Sequence, residues 1–514
     1  MSSTTYRIAA AVMAAFLVLT PAGALAQDET VPWPTDGWPT STPEEQGMDS
    51  ALLAEGLQYL LEQNGFDIHS LTVIRNGHIV ADAYFYPSRA DELHDLASVT
   101  KSFTATLVGM AIEQGLIEGV DQPVLELFPD RTVANLDTDK EAMTIEDLLT
   151  MSPGFECTHS PNDYTTMQMM ETPDWVQFAL DQPMVTPPGT YWVYCSPASH
   201  LLSAIITESA GMSTRDFAQD VLFAPLGITD SMWTSDPQGY DYGWGDLFLD
   251  PHDAAKLGYL YLHDGAWDGQ QVLPADWVSI ATSPAVASMY GYQWWLDPPR
   301  SAFYADGAGG QRIFVFPDEE LLVVTTGGGG PDQYGVIGEL LDSYVVPAVM
   351  ADDELPASPD GVARLEARIG EATVPPEPEP VPPLPSTAER VSGRTIFMDD
   401  NPIGLATMTL TFAEGESQAT LGLGLPDGSQ VEWSIGLDGV PRFNPGLQGA
   451  PMAATGRWAS DDTFVLELDY YTLRDADRLE ATFDGDVVTF AGFDVPLVGR
   501  LEGEWQAHSP WQIC

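Results

Sequence analysis

Hydrophobic and polar positions divide the chain into blocks of different period. Ile8 to Leu19 is a continuous apolar, Ala-rich run, too short to span a bilayer comfortably. Residues 27–45 are polar and rich in Pro and Thr, which predicts an extended lead-in. Apolar residues recur at helical spacing from about Asp49 to Gln63. Alternation follows at Leu71-Thr72-Val73-Ile74-Arg75, then an Asn76-Gly77 pair, then His78-Ile79-Val80-Ala81. Asn-Gly between apolar runs is a strong hairpin signal, because both residues tolerate the left-handed backbone of a tight turn. As far as Gly265 helical periodicity alternates with loops. Strand-like runs return at Gly291–Leu296, Arg312–Phe316 and Leu321–Thr326, before a helix over about Val336–Val346. Strands from both ends thus flank a largely helical centre, which predicts an α/β fold.

The pattern changes again toward the C-terminus. A short helical segment covers about Gly361–Gly370. Pro375-Pro376-Glu377-Pro378-Glu379-Pro380-Val381-Pro382-Pro383 lacks the N–H groups for helix or sheet and reads as a stiff linker. Beyond about Ala388, short alternating runs are separated by Gly, Asp and Asn turns: Ala406–Phe412, Gln418–Leu425, Phe464–Leu468 and Val487–Ala491. They predict a small antiparallel β domain, sandwich or barrel. The expected organisation is an export signal at 1–26, a main domain at 27–350, a Pro-rich linker with a short helix at 351–388, and a small β-rich domain at 389–514.

Composition narrows the function classes. Apolar residues make up 44 % of the 514, with 14 Trp, which excludes wholesale disorder. The formal net charge is −57, from 76 acidic against 19 basic residues. So acidic a surface repels phosphates, which excludes nucleic acid and anionic membrane as partners. The only lysines are Lys101, Lys140 and Lys256. Acid excess with Lys depletion fits a protein kept soluble in concentrated salt; a genomic bias toward Arg, Ala, Gly and Asp codons is the alternative. Self-repulsion should make the fold less stable at low ionic strength, where screening is weak.

The N-terminus reads as a secretory signal. Arg7 supplies the basic region, Ile8–Leu19 the apolar one, and Ala24-Leu25-Ala26 an A-x-A cleavage site before Gln27. The expected location is periplasmic or extracellular, with no membrane span once the signal is removed. Export permits a disulfide among Cys157, Cys195 and Cys514. Cys157–Cys195 is the expected pair, since both lie in the main domain; two buried thiols are the alternative. The three Cys lack zinc-site spacing, and no metal or other cofactor is expected.

The sharpest chemical signal is Ser98-Val99-Thr100-Lys101, opening an apolar helix. Phe103, Leu107, Met110, Ala111 and Gln114 follow at helical spacing, and Gly115 is a good stop. Ser and Lys three apart on a helix share one face. Burial and the positive helix N-terminus both lower a Lys pKa, so a neutral Lys101 can take the proton of Ser98. A Ser at the helix start also places its own N–H to stabilise an oxyanion.

Further segments stand in order behind this motif: Thr144-Ile145-Glu146-Asp147-Leu148-Leu149-Thr150-Met151-Ser152-Pro153-Gly154, then Pro188-Gly189-Thr190 leading to Tyr194-Cys195-Ser196. Leu257-Gly258-Tyr259-Leu260, Tyr290-Gly291-Tyr292-Gln293-Trp294-Trp295 and Gly307-Ala308-Gly309-Gly310-Gln311 complete the set. From about Pro43 to Met350 the chain resembles the serine β-lactamase/penicillin-binding-protein superfamily, in particular the class C β-lactamase-like serine hydrolases. That branch includes D-alanyl-D-alanine carboxypeptidases, carboxylesterases and 6-aminohexanoate-dimer hydrolases. The resemblance implies a β-lactamase-like fold, an antiparallel sheet flanked by a helical subdomain. The C-terminal β domain resembles the lipocalin-like domains appended to such hydrolases.

The resemblance also implies roles. Tyr194 occupies the family's Y-x-N tyrosine, and a phenol near a cationic Lys can have its pKa lowered and relay protons. Ser196 stands where the family often has Asn, a substrate contact. The family's Lys/His-Thr-Gly strand falls on Ala305-Asp306-Gly307, where the cation that recognises a substrate carboxylate is missing and Asp306 would repel one. Arg312 is the candidate substitute, though a strand position seven residues on need not face the site. The N–H of Ala308 is the expected second oxyanion donor beside that of Ser98. Asp306, Gly307 and Ser196 are then the expected substrate contacts. Glu146 and Asp147 are explained by the helix dipole. His200, His252 and His263 read as structural, Tyr290, Tyr292, Trp294 and Trp295 as a strand with one face in the core and one on the cleft, and Gly327–Gly330 as no phosphate loop. The expected protein is an exported serine hydrolase acting on a small ester or amide through a Ser98 acyl-enzyme, with Lys101 and Tyr194 moving protons. The alternatives are a D-alanyl-D-alanine carboxypeptidase or β-lactamase, and a binding protein on a degenerate hydrolase scaffold. Oligomeric state is not legible.

Overall fold

A computed structural model describes residues 31–63, 65–90, 92–159, 163–330, 332–401, 404–446, 451–473, 476–492 and 497–501. The expected export signal and Cys514 lie outside the described residues.

The helix expected near Asp49 is α1 (Ser50–Leu61); the Asp49 carboxylate starts it by accepting from the Ala51 and Leu52 N–H groups. The predicted hairpin is β1 (Asp67–Arg75) and β2 (His78–Tyr84). Asn76 (φ 48°) and Gly77 (φ 71°) are both left-handed, as a two-residue hairpin turn requires. From the far end of the main domain come β3 (Trp295–Asp297), β4 (Ala302–Gly307), β5 (Gln311–Phe316) and β6 (Leu321–Gly329). The sheet order is β2-β1-β6-β5-β4-β3, every neighbouring pair antiparallel. The first hairpin therefore completes a sheet whose other strands lie over 200 residues later, about the separation of Arg75 from Trp295.

Both faces of this sheet are covered, and alternation decides which side chain meets which layer. Ile313, Val315, Leu322 and Val324 enter one core, with α2 (Thr100–Glu113), α3 (Ser196–Ala210) and α4 (Pro251–Leu262). Phe314, Phe316, Leu321 and Val323 enter the other, with Leu53, Leu57 and Leu60 of α1. The short helix expected in the linker is α5 (Pro359–Ala372), and it packs here through Leu365 and Ala372. The helix expected over Val336–Val346 widens into a π turn at Leu341–Val345.

One expected strand is corrected. Gly291–Trp294 is irregular, and β3 begins only at Trp295. Gln293 is left-handed (φ 59°) and its amide donates to the Leu148 and Leu149 carbonyls, which breaks the alternation. Tyr290, Tyr292 and Trp294 are all buried, and Trp295 keeps partial exposure.

Beyond the Pro-rich segment, ten strands among the described residues between Thr395 and Leu501 run antiparallel to their neighbours. A parallel contact of Gly436 with Thr455 closes them into a barrel, which removes free edges. Of the two expected forms, then, the barrel is the one adopted; Trp433, Ile435, Phe464 and Val488 fill it. The barrel rests on the main domain: the Asp95 N–H donates to Thr472 O (2.9 Å), and Ser88 Oγ to Tyr471 O (3.3 Å). Among the described residues no helix is long and apolar enough to cross a membrane.

Candidate active site

Helix α2 has no exposed face before its last residues; Thr100 to Ala111 are all buried. A helix so enclosed is held without slack, and so is whatever stands at its start. Ahead of it a 3₁₀ turn spans Ala97–Val99. Ala97 is left-handed (φ 46°) and its N–H donates to Asp95 Oδ1 (2.8 Å). A non-glycine residue held in that region marks a position the surrounding structure over-determines. The bend leaves Ser98 partly exposed while Ala97 and Val99 are buried.

Lys101, one turn on, is buried and donates from Nζ to Ser98 Oγ (2.9 Å) and to Trp244 O (2.8 Å). Its Nζ lies 4.8 Å from the centre of the Tyr194 ring. The Tyr194 hydroxyl hydrogen-bonds the Ser98 side chain. Serine, amine and phenol, predicted from positions 98, 101 and 194, therefore meet at one point.

The expectation that Lys101 lowers the Tyr194 pKa is corrected: it is raised. Burial is the main cause, and the Asp306 and Asp163 charges add to it, against the hydrogen bond with Ser98. Tyr194 is thus a neutral phenol at ordinary pH, a proton donor.

A cavity of about 670 Å³ opens in front of Ser98. Tyr191, Trp192, Tyr194, Trp295 and Tyr334 give it aromatic walls, and Ala308 and Asp306 stand on its rim with Ser98. Tyr194 and Trp295 stack with centroids 5.9 Å apart. Gly307 is buried and outside the lining: a Cβ there would meet Leu96 O at 2.6 Å. That close approach of β4 to the backbone before Ser98 sets Ala308 beside the serine. Ser196 is also buried, outside the lining, and donates from Oγ to Asp163 Oδ2 (2.8 Å).

Arg312 lies opposite Asp306 on the adjacent strand, and Nε donates to Asp306 Oδ1 (2.7 Å). Its guanidinium also covers the Tyr334 ring at 4.5 Å. Arg312 is thus engaged by the Asp306 carboxylate and does not line the cavity. Burial raises the Asp306 pKa against the pull of Arg312.

Sequence reasoning missed Asp163, His159 and Tyr334, whereas Trp295 takes the cleft side expected for one face of its segment. Asp163 is held below the ordinary carboxylate range: burial opposes this, but His159, the Lys101 charge and the Ser196 hydroxyl outweigh it. The loop carrying His159 and Asp163 has no periodicity to signal it. His200 pairs with buried Asp236 (3.2 Å) and His252 with Asp82 (3.1 Å), while His263 packs edge-on against Tyr259; none lines the cavity. Asp147 forms a capping box with Thr144, and Glu146 accepts from the Tyr292 hydroxyl (2.5 Å).

Cys157 and Cys195 form a disulfide, Cα–Cα 5.9 Å. It ties the cavity wall to the residue after Tyr194. Cys157→Ser/Cys195→Ser is expected to destabilise the chain by about 4 kcal/mol in the chain-entropy account of a 38-residue loop. Thermal melts of the double variant beside the oxidised wild type measure this.

The family model described as Beta-lactamase matches residues 53–335. The 6-aminohexanoate-dimer hydrolase of Paenarthrobacter ureafaciens is 24% identical over 286 residues, covering 51% of this chain and 72% of that protein. Penicillin-binding protein 4 of Amycolatopsis lactamdurans is 27% identical over 384 residues, covering 64% of this chain and 91% of that one. A solved structure from Bacillus anthracis, provisionally named a 6-aminohexanoate-dimer hydrolase, superposes with a TM-score of 0.52 at 18% identity, covering 64% of this chain and 91% of that one.

Proposed function

The chain belongs to the beta-lactamase family, and from that premise we propose that it is an exported serine hydrolase of uncharged esters or amides. The observation that carries this reading is the contact of Lys101 Nζ with Ser98 Oγ at 2.9 Å beside a neutral Tyr194.

Ser98 Oγ attacks the substrate carbonyl carbon while its proton passes to Lys101 Nζ acting as general base. The oxyanion is held by the N–H groups of Ser98 and Ala308. As the carbonyl re-forms, the bond to the leaving group breaks, and Tyr194 hands that group a proton that Lys101 replaces. Water then attacks the acyl-enzyme through the same groups, releasing the acid and restoring Ser98. No step calls on a cofactor.

Charge supports the choice of substrate. Among the described residues the cavity lining contains Asp306 and no Lys or Arg, and Arg312 is tied to Asp306. A carboxylate-bearing substrate would meet one partly exposed acid and no cation in the lining. The aromatic walls favour an apolar acyl or leaving group. The disulfide supports an oxidising compartment.

The test sets a short-chain p-nitrophenyl ester against a chromogenic cephalosporin and a peptidyl-D-Ala-D-Ala substrate, in high salt. Ester turnover without release of D-alanine is expected. Dominant D-alanine release would replace this reading with the carboxypeptidase. A folded chain that forms no covalent adduct on Ser98 with any of them would leave the binding protein.

A further inference from the structure

Where the barrel meets the main domain, donors from both parts converge. Asp67 and His69 are on β1; Asp469 ends a barrel strand (Thr463–Asp469). One carboxylate oxygen of each acid and one ring nitrogen of His69 lie within 4.8 Å of one another. None of the three lines the Ser98 cavity.

The hydrogen bonds behind His69 decide what its ring offers. His94 Nδ1 is 2.8 Å from the Asp95 carbonyl, which only accepts, so Nδ1 carries the proton. His94 is 4% exposed, and burial disfavours its charged form, so its Nε2 holds a lone pair. His69 Nδ1, 2.7 Å away, must therefore donate. Nε2 is then the ring nitrogen turned to the two acids, 3.3 Å from Asp67 Oδ2. Two carboxylates and a ring nitrogen from two parts of the chain thus converge on one point, a donor set of the kind that holds a cation. Gly328 keeps that space clear: a Cβ there would lie 2.3 Å from Asp67 Oδ2 and 3.2 Å from His69 Nε2.

We propose that Asp67, His69 and Asp469 bind a divalent metal ion that fastens the barrel to the main domain, with Zn²⁺ the best match. One imidazole and two carboxylates suit zinc, whereas calcium takes oxygen donors alone and more of them. His94 acts as the outer partner that fixes the ligand's tautomer and ring orientation. The two acids and one neutral imidazole balance the charge of the ion. The His69 side chain is 2% exposed and that of Asp67 49%, so the ion enters from the Asp67 side.

The test uses the full chain, stripped with chelator and titrated with ZnCl₂ by calorimetry in high salt, which suppresses loose binding to the acidic surface. One tight site per chain, a higher melting temperature and slower amide exchange over 463–472 are expected. Asp469→Asn should weaken binding by about tenfold or more and abolish the melting shift, with ester hydrolysis retained. Asp67→Asn, at a half-exposed side chain, gives the same result should the first variant fold poorly. CaCl₂ should give no comparable shift. Equal Zn²⁺ binding by wild type and both variants would overturn the site, and tight binding without slower exchange would overturn the fastening.

Discussion

Ser98→Ala is expected to lower ester hydrolysis by about 10⁴-fold or more, because Ser98 Oγ is the lining hydroxyl held against Lys101 Nζ. Substrate binding should survive. The alanine keeps the N–H that would hold the oxyanion, and the aromatic walls are untouched. The variant should also fold like the wild type, since Ser98 is partly exposed and α2 begins after it. Initial rates with the p-nitrophenyl ester measure the loss, and intact mass after a fluorophosphonate probe shows whether the adduct forms. Equal rates in the two proteins would place any activity elsewhere and end the serine-hydrolase reading.

Lys101→Met is expected to cost about 10²–10⁴-fold in kcat with KM little changed. Met matches the volume of the buried chain but takes no proton from Ser98 Oγ. It also leaves the Trp244 carbonyl without that donor, at a cost of about 1–3 kcal/mol for a buried group. Two readouts separate the effects: kcat at a temperature well below the melt, and the melt itself. Lys101→Arg should not restore the rate, because a guanidinium stays protonated and cannot act as a base. Near-normal turnover in both variants would assign the proton transfer to another group.

The strands and the nucleophile were legible because each rests on local signals. The Asn76-Gly77 turn between alternating runs marked the hairpin. One of only three lysines, one helical turn after Ser98 in an apolar stretch, marked the chemistry. Position in the family's order marked Tyr194, while its protonation was read with the wrong sign. The charge on Lys101 can be seen in a sequence, but full burial and the proximity of Asp306 and Asp163 cannot. Ser196, Asp306 and Arg312 show the same limit. Their residue types were read correctly, but which of them faces the cavity depended on pairing. Register sets Arg312 opposite Asp306, and so turns a spare cation into a partner of the acid.

The Gly291–Trp294 run shows a different failure. Alternating apolar residues predict a strand only when one face is polar or exposed, and here Gly291 and Gln293 are enclosed along with Tyr290, Tyr292 and Trp294. Periodicity carries no information about a segment buried on every side.

The sequence alone determined the elements with local causes: hairpin, helix starts, Pro-rich break, barrel strands, and a Ser and Lys on one helical face. Tertiary structure decided what depends on residues far apart in the chain. It closed the barrel through Gly436 and Thr455, brought Tyr194 against Lys101, and set Asp469 beside His69. Spacing along a helix or strand follows from a fixed rise per residue. Distance between elements follows from packing, to which hundreds of side chains contribute together. That packing, and the desolvation it imposes, sets the charge each group carries at the site.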